Sequence, residues 1–148
     1  MELVTGPISP DEIEDEMHAI GHILVEFHID ELQVTFGGSC DFNKISHSDK
    51  FCILTTALRD FLIEQEMLEI ITIGRSELVF TSKDDSMAID LCELSEIHLT
   101  TCNELLLDKF HPRWKLIYPK SYHLERERHR YRLLSGLEWI EFDSSTPN

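Results

Sequence analysis

Glu14, His18 and His22 are spaced four residues apart, so on a helix they would project from one face. Imidazole and carboxylate groups are zinc ligands, and such a face can hold a divalent metal ion. The competing interpretation is a solvated acidic helix with the two imidazoles at its rim, because Gly21 weakens the helix and the spacing assigns no further ligand. We favour this second interpretation and predict no metal and no other cofactor.

Cys92 and His98 are the other residues whose types suit chemistry. A cysteine beside a base is the arrangement that nucleophilic catalysis needs, and neighbouring strands could bring these two together, although their spacing does not require it. A single histidine in a strand is more often a structural or surface residue. The chain also lacks the glycine-rich phosphate loops, H-E-x-x-H and G-x-S-x-G. We therefore predict no catalytic residue and a protein that is not an enzyme, with a metal-dependent enzyme built on Glu14, His18 and His22 as the least favoured alternative.

Three acidic runs are candidates for binding a basic protein partner. They consist of Asp11, Glu12, Glu14, Asp15 and Glu16, then Asp30 and Glu31, then Asp84 and Asp85. Their carboxylates could take the places that nucleic-acid phosphates occupy in a basic cleft, and such association is fast and salt-sensitive. The competing interpretation is structural, because acids at a helix start favour the helix dipole and adjacent aspartates are typical of turns.

Arginine occupies every second position in one basic stretch, at Arg126, Arg128, Arg130 and Arg132. On one strand these four side chains would share a face. That face could bind RNA, remain solvated, or neutralise the acidic remainder of the protein, either within the chain or across a dimer. We favour neutralisation, which makes self-association through residues 120–132 the second functional hypothesis.

The charge is divided unevenly along the chain. Residues 1–108 carry 23 acidic and 5 basic side chains, whereas residues 109–132 carry 2 acidic and 8 basic ones. The net charge of −15 argues against nucleic acid and against anionic membranes as partners, since both require a dominant basic face. It permits a basic protein partner steered in by the field of the acidic surface.

The composition is that of one globular domain over residues 1–148, with 143–148 as a frayed polar tail. Hydrophobic residues make up 42% of the chain and charged residues 28%, which suits a folded core rather than a disordered chain. The 4 cysteines form no C-x-x-C pair, and we expect reduced thiols. No apolar run is long enough to cross a bilayer and the first residues do not resemble a signal peptide, so we expect a cytoplasmic protein.

Three helices are predicted. Ser9, Pro10 and Glu12 form a helix start of the capping-box type, and Gly21 is the predicted end of this first helix. Apolar residues at helical spacing predict a second helix over 49–66. Asn103 is the predicted cap of a short helix that reaches Phe110.

Short alternating runs separated by polar turns predict an antiparallel meander. These strands cover residues 25–29, 32–36, 69–73, 77–82, 87–91, 97–101 and 114–118, with a further hairpin over 131–140. Asp30-Glu31 is the predicted turn between the first two strands. The fold class expected from this pattern is α+β, one antiparallel sheet of five or more strands with two or three helices packed on it.

In size, acidity and expected cytoplasmic location the whole chain resembles bacterial toxin-immunity and antitoxin proteins, although no motif of a particular immunity family can be quoted from it. The resemblance implies a non-enzymatic inhibitor that occludes the active site of a basic toxin or effector domain. It assigns no individual residue, so the three acidic runs enter the hypothesis on their charge alone.

Overall fold

Alternating apolar residues build the strands of a central sheet. The structure is a computed structural model, and it describes residues 2–37, 40, 51–110, 114, 116–118, 123–127, 130–134 and 139–143. The strands of this sheet are β1 (Glu2–Val4), β2 (Glu31–Phe36), β3 (Phe51–Leu54), β4 (Leu78–Thr81), β5 (Met87–Leu91), β6 (Ile97–Thr101) and β7 (Leu116–Tyr118). Their order is β3-β2-β4-β5-β6-β1-β7, and every neighbouring pair is antiparallel.

Among the residues that the structure describes, the α-helices that accompany this sheet are α1 (Pro10–Glu26), α2 (Leu58–Met67) and α3 (Glu104–Phe110). The capping box at the start of α1 is confirmed, since the amide of Glu12 donates to Ser9 Oγ and the amide of Ser9 donates to Glu12 Oε1, each at 3.2 Å. Asn103 caps α3 by accepting from the amide of Leu105 at 3.1 Å. Within the described residues, none of the helices has the length and apolar character needed to span a bilayer.

The helices pack on one face of the sheet, which confirms the predicted α+β class. Ile89 and Leu99 on this face are fully buried, as are Met17 and Ile20 on α1. The opposite face of β5 and β6 carries half-buried residues at alternate positions, among them Asp90 directly opposite His98. Strand alternation therefore separates an apolar core face from a face that carries polar groups.

The first helix is longer than predicted. α1 passes through Gly21 and ends at Glu26, so the strand predicted over 25–29 and the hairpin turn at Asp30-Glu31 are wrong. Gly21 is buried, and a Cβ atom at this position would lie 2.7 Å from the carbonyl oxygen of Thr55. The glycine therefore permits a close approach of two backbones and does not end the helix.

The helix predicted over 49–66 is wrong in its first half. Phe51–Leu54 is a strand, and α2 begins at Leu58 after a turn of 3-10 helix. Phe51 and Phe61 nevertheless meet, with ring centroids 5.6 Å apart. Apolar residues of the strand and of the helix pack together in the same core. Their combined spacing in the sequence therefore resembles that of one amphipathic helix.

The strand predicted over 69–73 is also wrong. Its isoleucines are buried, but its backbone makes local hydrogen bonds instead of a sheet ladder. The amide of Ile73 donates to Glu66 Oε2 at 2.8 Å, and the amide of Thr72 donates to Ser76 Oγ at 2.9 Å. Apolar burial alone did not distinguish a strand from an irregular buried segment.

A second antiparallel sheet has the strand order β10-β9-β8 and consists of β8 (His123–Glu127), β9 (Arg130–Leu134) and β10 (Trp139–Asp143). The pairing of Leu134 with Trp139 confirms the predicted hairpin over 131–140. Asp143 is the last residue of β10, and residues 144–148 lie outside the described part of the chain.

The arginines of the basic stretch that the structure describes do not lie on one strand, so the prediction of a single strand for them is wrong. Arg126 belongs to β8, whereas Arg130 and Arg132 belong to β9, because the chain reverses direction between the two strands. In the register, Arg130 is opposite Glu127 and Arg132 is opposite Glu125. Arg128 lies outside the described residues.

Candidate functional site

An open groove of about 480 Å³ lies between the end of α1, the start of β2 and the turn from β4 to β5. Its lining residues are His28, Ile29, Asp30, Glu31, Leu54, Ser82, Lys83 and Asp84. We call it the acidic groove, because among the described residues three carboxylates line it against one ammonium group. It brings together residues from two of the three acidic runs that the sequence singled out.

One wall of the acidic groove is fixed by the helix exit and by strand pairing. The chain leaves α1 at His28, whose φ of 61° is in the left-handed region. The carbonyl of Asp30 then accepts a hydrogen bond from the amide of Thr55 at 2.9 Å, and Glu31 is the cross-strand partner of Leu54. Leu54 is 59% exposed, so an apolar side chain stands beside the carboxylates.

The opposite wall is a tight turn organised by Asp84. Its Oδ1 accepts hydrogen bonds from Ser82 Oγ at 2.8 Å, from Ser86 Oγ at 2.7 Å and from the amide of Ser86 at 3.1 Å. These bonds, those from Ser86 first, hold the pKa of Asp84 below its ordinary value. The neighbouring Asp85 has a φ of 57° and is not among the residues that line the groove. Asp84 therefore organises the turn and also lines the acidic groove.

Lys83 is the cation of the acidic groove. Its Nζ lies 2.6 Å from Glu31 Oε2, and both side chains are exposed. The hydrogen bond to Glu31, with the attraction of that carboxylate, raises the pKa of Lys83. An exposed ion pair of this kind is weak, because water and salt screen it. A competing cation can therefore replace Lys83 on Glu31.

The acidic run of α1 lies apart from the acidic groove and has local partners. Glu12 completes the capping box, Asp15 is 3.9 Å from Arg59, and Glu16 Oε2 accepts from Trp114 Nε1 at 3.0 Å. The helix has 17 residues, so at 1.5 Å per residue its start is roughly 25 Å from its groove end. Asp11 and Glu14 belong to the same distant turns.

His18 and His22 do meet on α1, as their spacing predicted. Their Nε2 atoms are 3.2 Å apart and both rings are exposed, in an edge-to-face arrangement. Glu14, however, does not complete a three-residue ligand cluster with them in the described part of the chain. Two exposed imidazoles provide only half of a tetrahedral zinc shell.

A three-residue ligand cluster does occur at the other end of β5, where Cys92, Glu96 and His98 offer one donor atom each. These donor atoms all lie within 4.8 Å of one another. Glu96 is 1% exposed, and its Oε2 is 3.9 Å from His98 Nε2. The approach of Cys92 to His98 through neighbouring strands is thereby observed.

Sequence reasoning missed Glu96, Leu54 and Lys83. Glu96 could have been found from its position two residues before His98 in an alternating run, which puts both on one face of a strand. Leu54 falls within the helix predicted over 49–66, and Lys83 falls between the strands predicted over 77–82 and 87–91. Neither the exposure of Leu54 nor the ion pair of Lys83 follows from local spacing.

No family model matches this chain, and no curated protein or solved structure matches it. The acidic groove and the ligand cluster are therefore the features of the molecule that bear on its function.

Proposed function

We propose that this protein is a non-enzymatic binding protein that docks a basic protein partner in the acidic groove, in the manner of a bacterial immunity protein that blocks a cationic toxin or effector domain. The observation that carries the proposal is the convergence of Asp30, Glu31 and Asp84 on one groove, where Lys83 is the one lysine among the described lining residues. The net charge of −15 adds a long-range field that accelerates encounter with a basic partner.

The groove suits a lysine or arginine side chain better than an uncharged ligand. Such a side chain has an apolar stem and a charged end, and the acidic groove offers exposed Leu54 beside carboxylates. The carboxylate of Asp84 keeps its negative charge over a wide pH range, because its pKa is lowered. A guanidinium group can bind a carboxylate through two parallel hydrogen bonds, whereas Asp84, whose Oδ1 already accepts three hydrogen bonds, contributes its negative charge.

Affinity capture from an extract of the source cells tests this proposal. The bait is the full chain at low salt, and the test bait carries Asp30→Asn, Glu31→Gln and Asp84→Asn. We expect the wild-type bait to retain one basic protein whose own activity is blocked at equal stoichiometry, and the test bait to lose it. The product of a reading frame next to this one is the first partner to assay directly.

A matched control separates the acidic groove from general acidity. Asp11→Asn, Glu14→Gln and Asp15→Asn together remove the same number of negative charges from the distant end of α1. We expect this control bait to retain the partner. Equal loss in both variants, or retention in both, would contradict docking in the acidic groove, and a captured partner that keeps full activity would contradict the inhibitor role.

Self-association through residues 120–132 is the alternative proposal. Its support is the concentration of basic residues near the C-terminus, since residues 109–132 carry 8 basic and 2 acidic side chains. Light scattering on the wild type and on a variant with all four arginines changed to serine tests it. A multimer whose mass does not fall in the variant would contradict self-association through this segment.

A further inference from the structure

We infer that Cys92, Glu96 and His98 form a site for a zinc-like divalent metal ion, separate from the acidic groove. Thiolate, imidazole and carboxylate are the three ligand types that proteins use for Zn²⁺. The sulfur and nitrogen donors select such an ion over Mg²⁺ and Ca²⁺, which prefer oxygen ligands. The proposed partner binding is independent of this site.

The donor atoms are close to the separations that one metal ion requires. Ligands of a tetrahedral zinc ion are roughly 3.3–3.7 Å apart, given bond lengths of about 2.0–2.3 Å. The carboxylate of Glu96 and the imidazole of His98 are 3.9 Å apart, and the Cys92 sulfur lies within 4.8 Å of both. A small side-chain adjustment therefore completes three-ligand coordination without movement of the backbone.

The backbone around the cluster is held on both sides. The amide of Cys92 donates to the carbonyl of Glu96 at 3.0 Å, which closes the turn between β5 and β6. The segment between β1 and α1 holds the other side. The amide of Ile97 donates to Thr5 Oγ1 at 3.1 Å, and Ser95 Oγ donates to the carbonyl of Ile8. Such a frame fixes the ligands before the ion arrives, which lowers the entropic cost of binding.

The surroundings suit a metal ion with one open position. Glu96 is buried and His98 is half-buried, so an ion here would be partly shielded from water. Asp90 is directly opposite His98 across the strands, the position from which a carboxylate can orient a ligating imidazole. Three protein ligands leave the fourth position of a tetrahedral ion for water or for an incoming group.

The site is distinct from the acidic groove and from the histidine pair of α1. Strand β5 has 5 residues and spans about 17 Å at 3.3 Å per residue, with the acidic groove at one end and the ligand cluster beyond the other. His18 and His22, whose Nε2 atoms are 3.2 Å apart, offer two imidazoles and no sulfur. The cluster contains a cysteine and the histidine pair does not, and this difference provides the test.

Cobalt substitution tests the inference directly. Co²⁺ is titrated into the reduced full-length protein, prepared without a histidine tag, and the spectrum is followed in the near ultraviolet and visible regions. We expect a thiolate-to-cobalt charge-transfer band that saturates at one equivalent and disappears when Zn²⁺ is added. The absence of such a band from the folded protein would overturn the inference.

Variants then locate the ion. Cys92→Ser should abolish the charge-transfer band, whereas Cys102→Ser, at an exposed cysteine, and the double variant His18→Gln and His22→Gln should leave it unchanged. Persistence of the band in Cys92→Ser, or its loss in Cys102→Ser, would overturn the assignment.

A second ligand variant guards against misfolding. If circular dichroism shows that Cys92→Ser does not fold, His98→Gln replaces it, and we expect its zinc affinity to fall by at least about a hundredfold, since even loss of an outer-shell contact costs about 10–100-fold. Wild-type zinc affinity in folded His98→Gln would equally overturn the site. We also expect the variant with Asp30→Asn, Glu31→Gln and Asp84→Asn to bind metal as the wild type does. The metal site can therefore be tested whether or not the acidic groove binds a partner.

Discussion

Lys83 Nζ lies 2.6 Å from Glu31 Oε2 across the acidic groove, although the two residues are more than fifty positions apart in the sequence. The pair joins the turn after β4 to the start of β2. It also neutralises one of the three carboxylates that the proposal assigns to a basic partner. Lys83 is therefore the residue whose removal should improve docking rather than impair it.

We expect Lys83→Gln to bind the basic partner more tightly, by about threefold to tenfold at low salt, because Glu31 becomes available and the local field becomes more negative. Titration calorimetry with the captured partner measures this effect. Lys109→Gln is the matched control, since Lys109 forms a comparable exposed pair with Glu26 at 3.9 Å and does not line the groove. If Lys83→Gln and Lys109→Gln raise the affinity for the partner equally, net charge alone explains the effect and the release of Glu31 does not.

The turn at Asp84 predicts a pH-dependent contribution to stability. Because hydrogen bonds from Ser86 and Ser82 lower its pKa in the folded state, Asp84 stabilises the fold above its unfolded-state pKa, and this contribution is lost as the pH falls through the folded-state pKa. We expect Asp84→Ala to unfold at lower urea concentration than the wild type at neutral pH. The difference should disappear in acid, and a constant difference across that range would be inconsistent with this linkage.

Gly21→Ala tests the close approach between α1 and Thr55. At an exposed helix position this substitution would stabilise the helix by about 1 kcal/mol. Here the new Cβ would lie 2.7 Å from a backbone oxygen, so we expect a net loss of about 1–3 kcal/mol in the free energy of unfolding. Urea denaturation measures it, and a more stable variant would show that the two backbones are not in contact.

The four cysteines should differ in reactivity. Cys40 is buried, its Sγ donates to the carbonyl of Glu77 at 3.4 Å, and burial raises its pKa, which disfavours the reactive thiolate. Cys52 and Cys102 are exposed. With a thiol reagent at neutral pH and mass spectrometry of the labelled peptides, we expect these two to react first and Cys40 last. Early labelling of Cys40 in the folded protein would refute this order.

Local signals predicted the parts of the fold that local chemistry determines. The capping box at Ser9, the cap at Asn103 and the alternation over 87–91 and 97–101 were each sufficient to place an element. Gly21 was misjudged because its role is a contact with Thr55, which lies on a separate segment. The helix predicted across Phe51 failed because sheet pairing overrode the periodicity.

The candidate site shows the same division. Charge counting found Asp30, Glu31 and Asp84, and it could not show that Asp30 and Glu31 share a groove with Asp84 while the α1 run lies elsewhere. The pairing of β2 with its neighbouring strands determines which acidic residues share the groove. The ligand cluster depends in the same way on the β5–β6 hairpin, which brings Cys92 and Glu96 together across a turn.

The association rate of the captured partner as a function of salt tests the central claim most directly. Stopped-flow measurements would compare the wild type, the variant with Asp30→Asn, Glu31→Gln and Asp84→Asn, and the variant with Asp11→Asn, Glu14→Gln and Asp15→Asn. Docking in the acidic groove predicts a wild-type rate that falls steeply with salt and a groove variant slower by about tenfold at low salt, with the control within about twofold of the wild type. A rate that is insensitive to salt, or equal rates in the two variants, would contradict it.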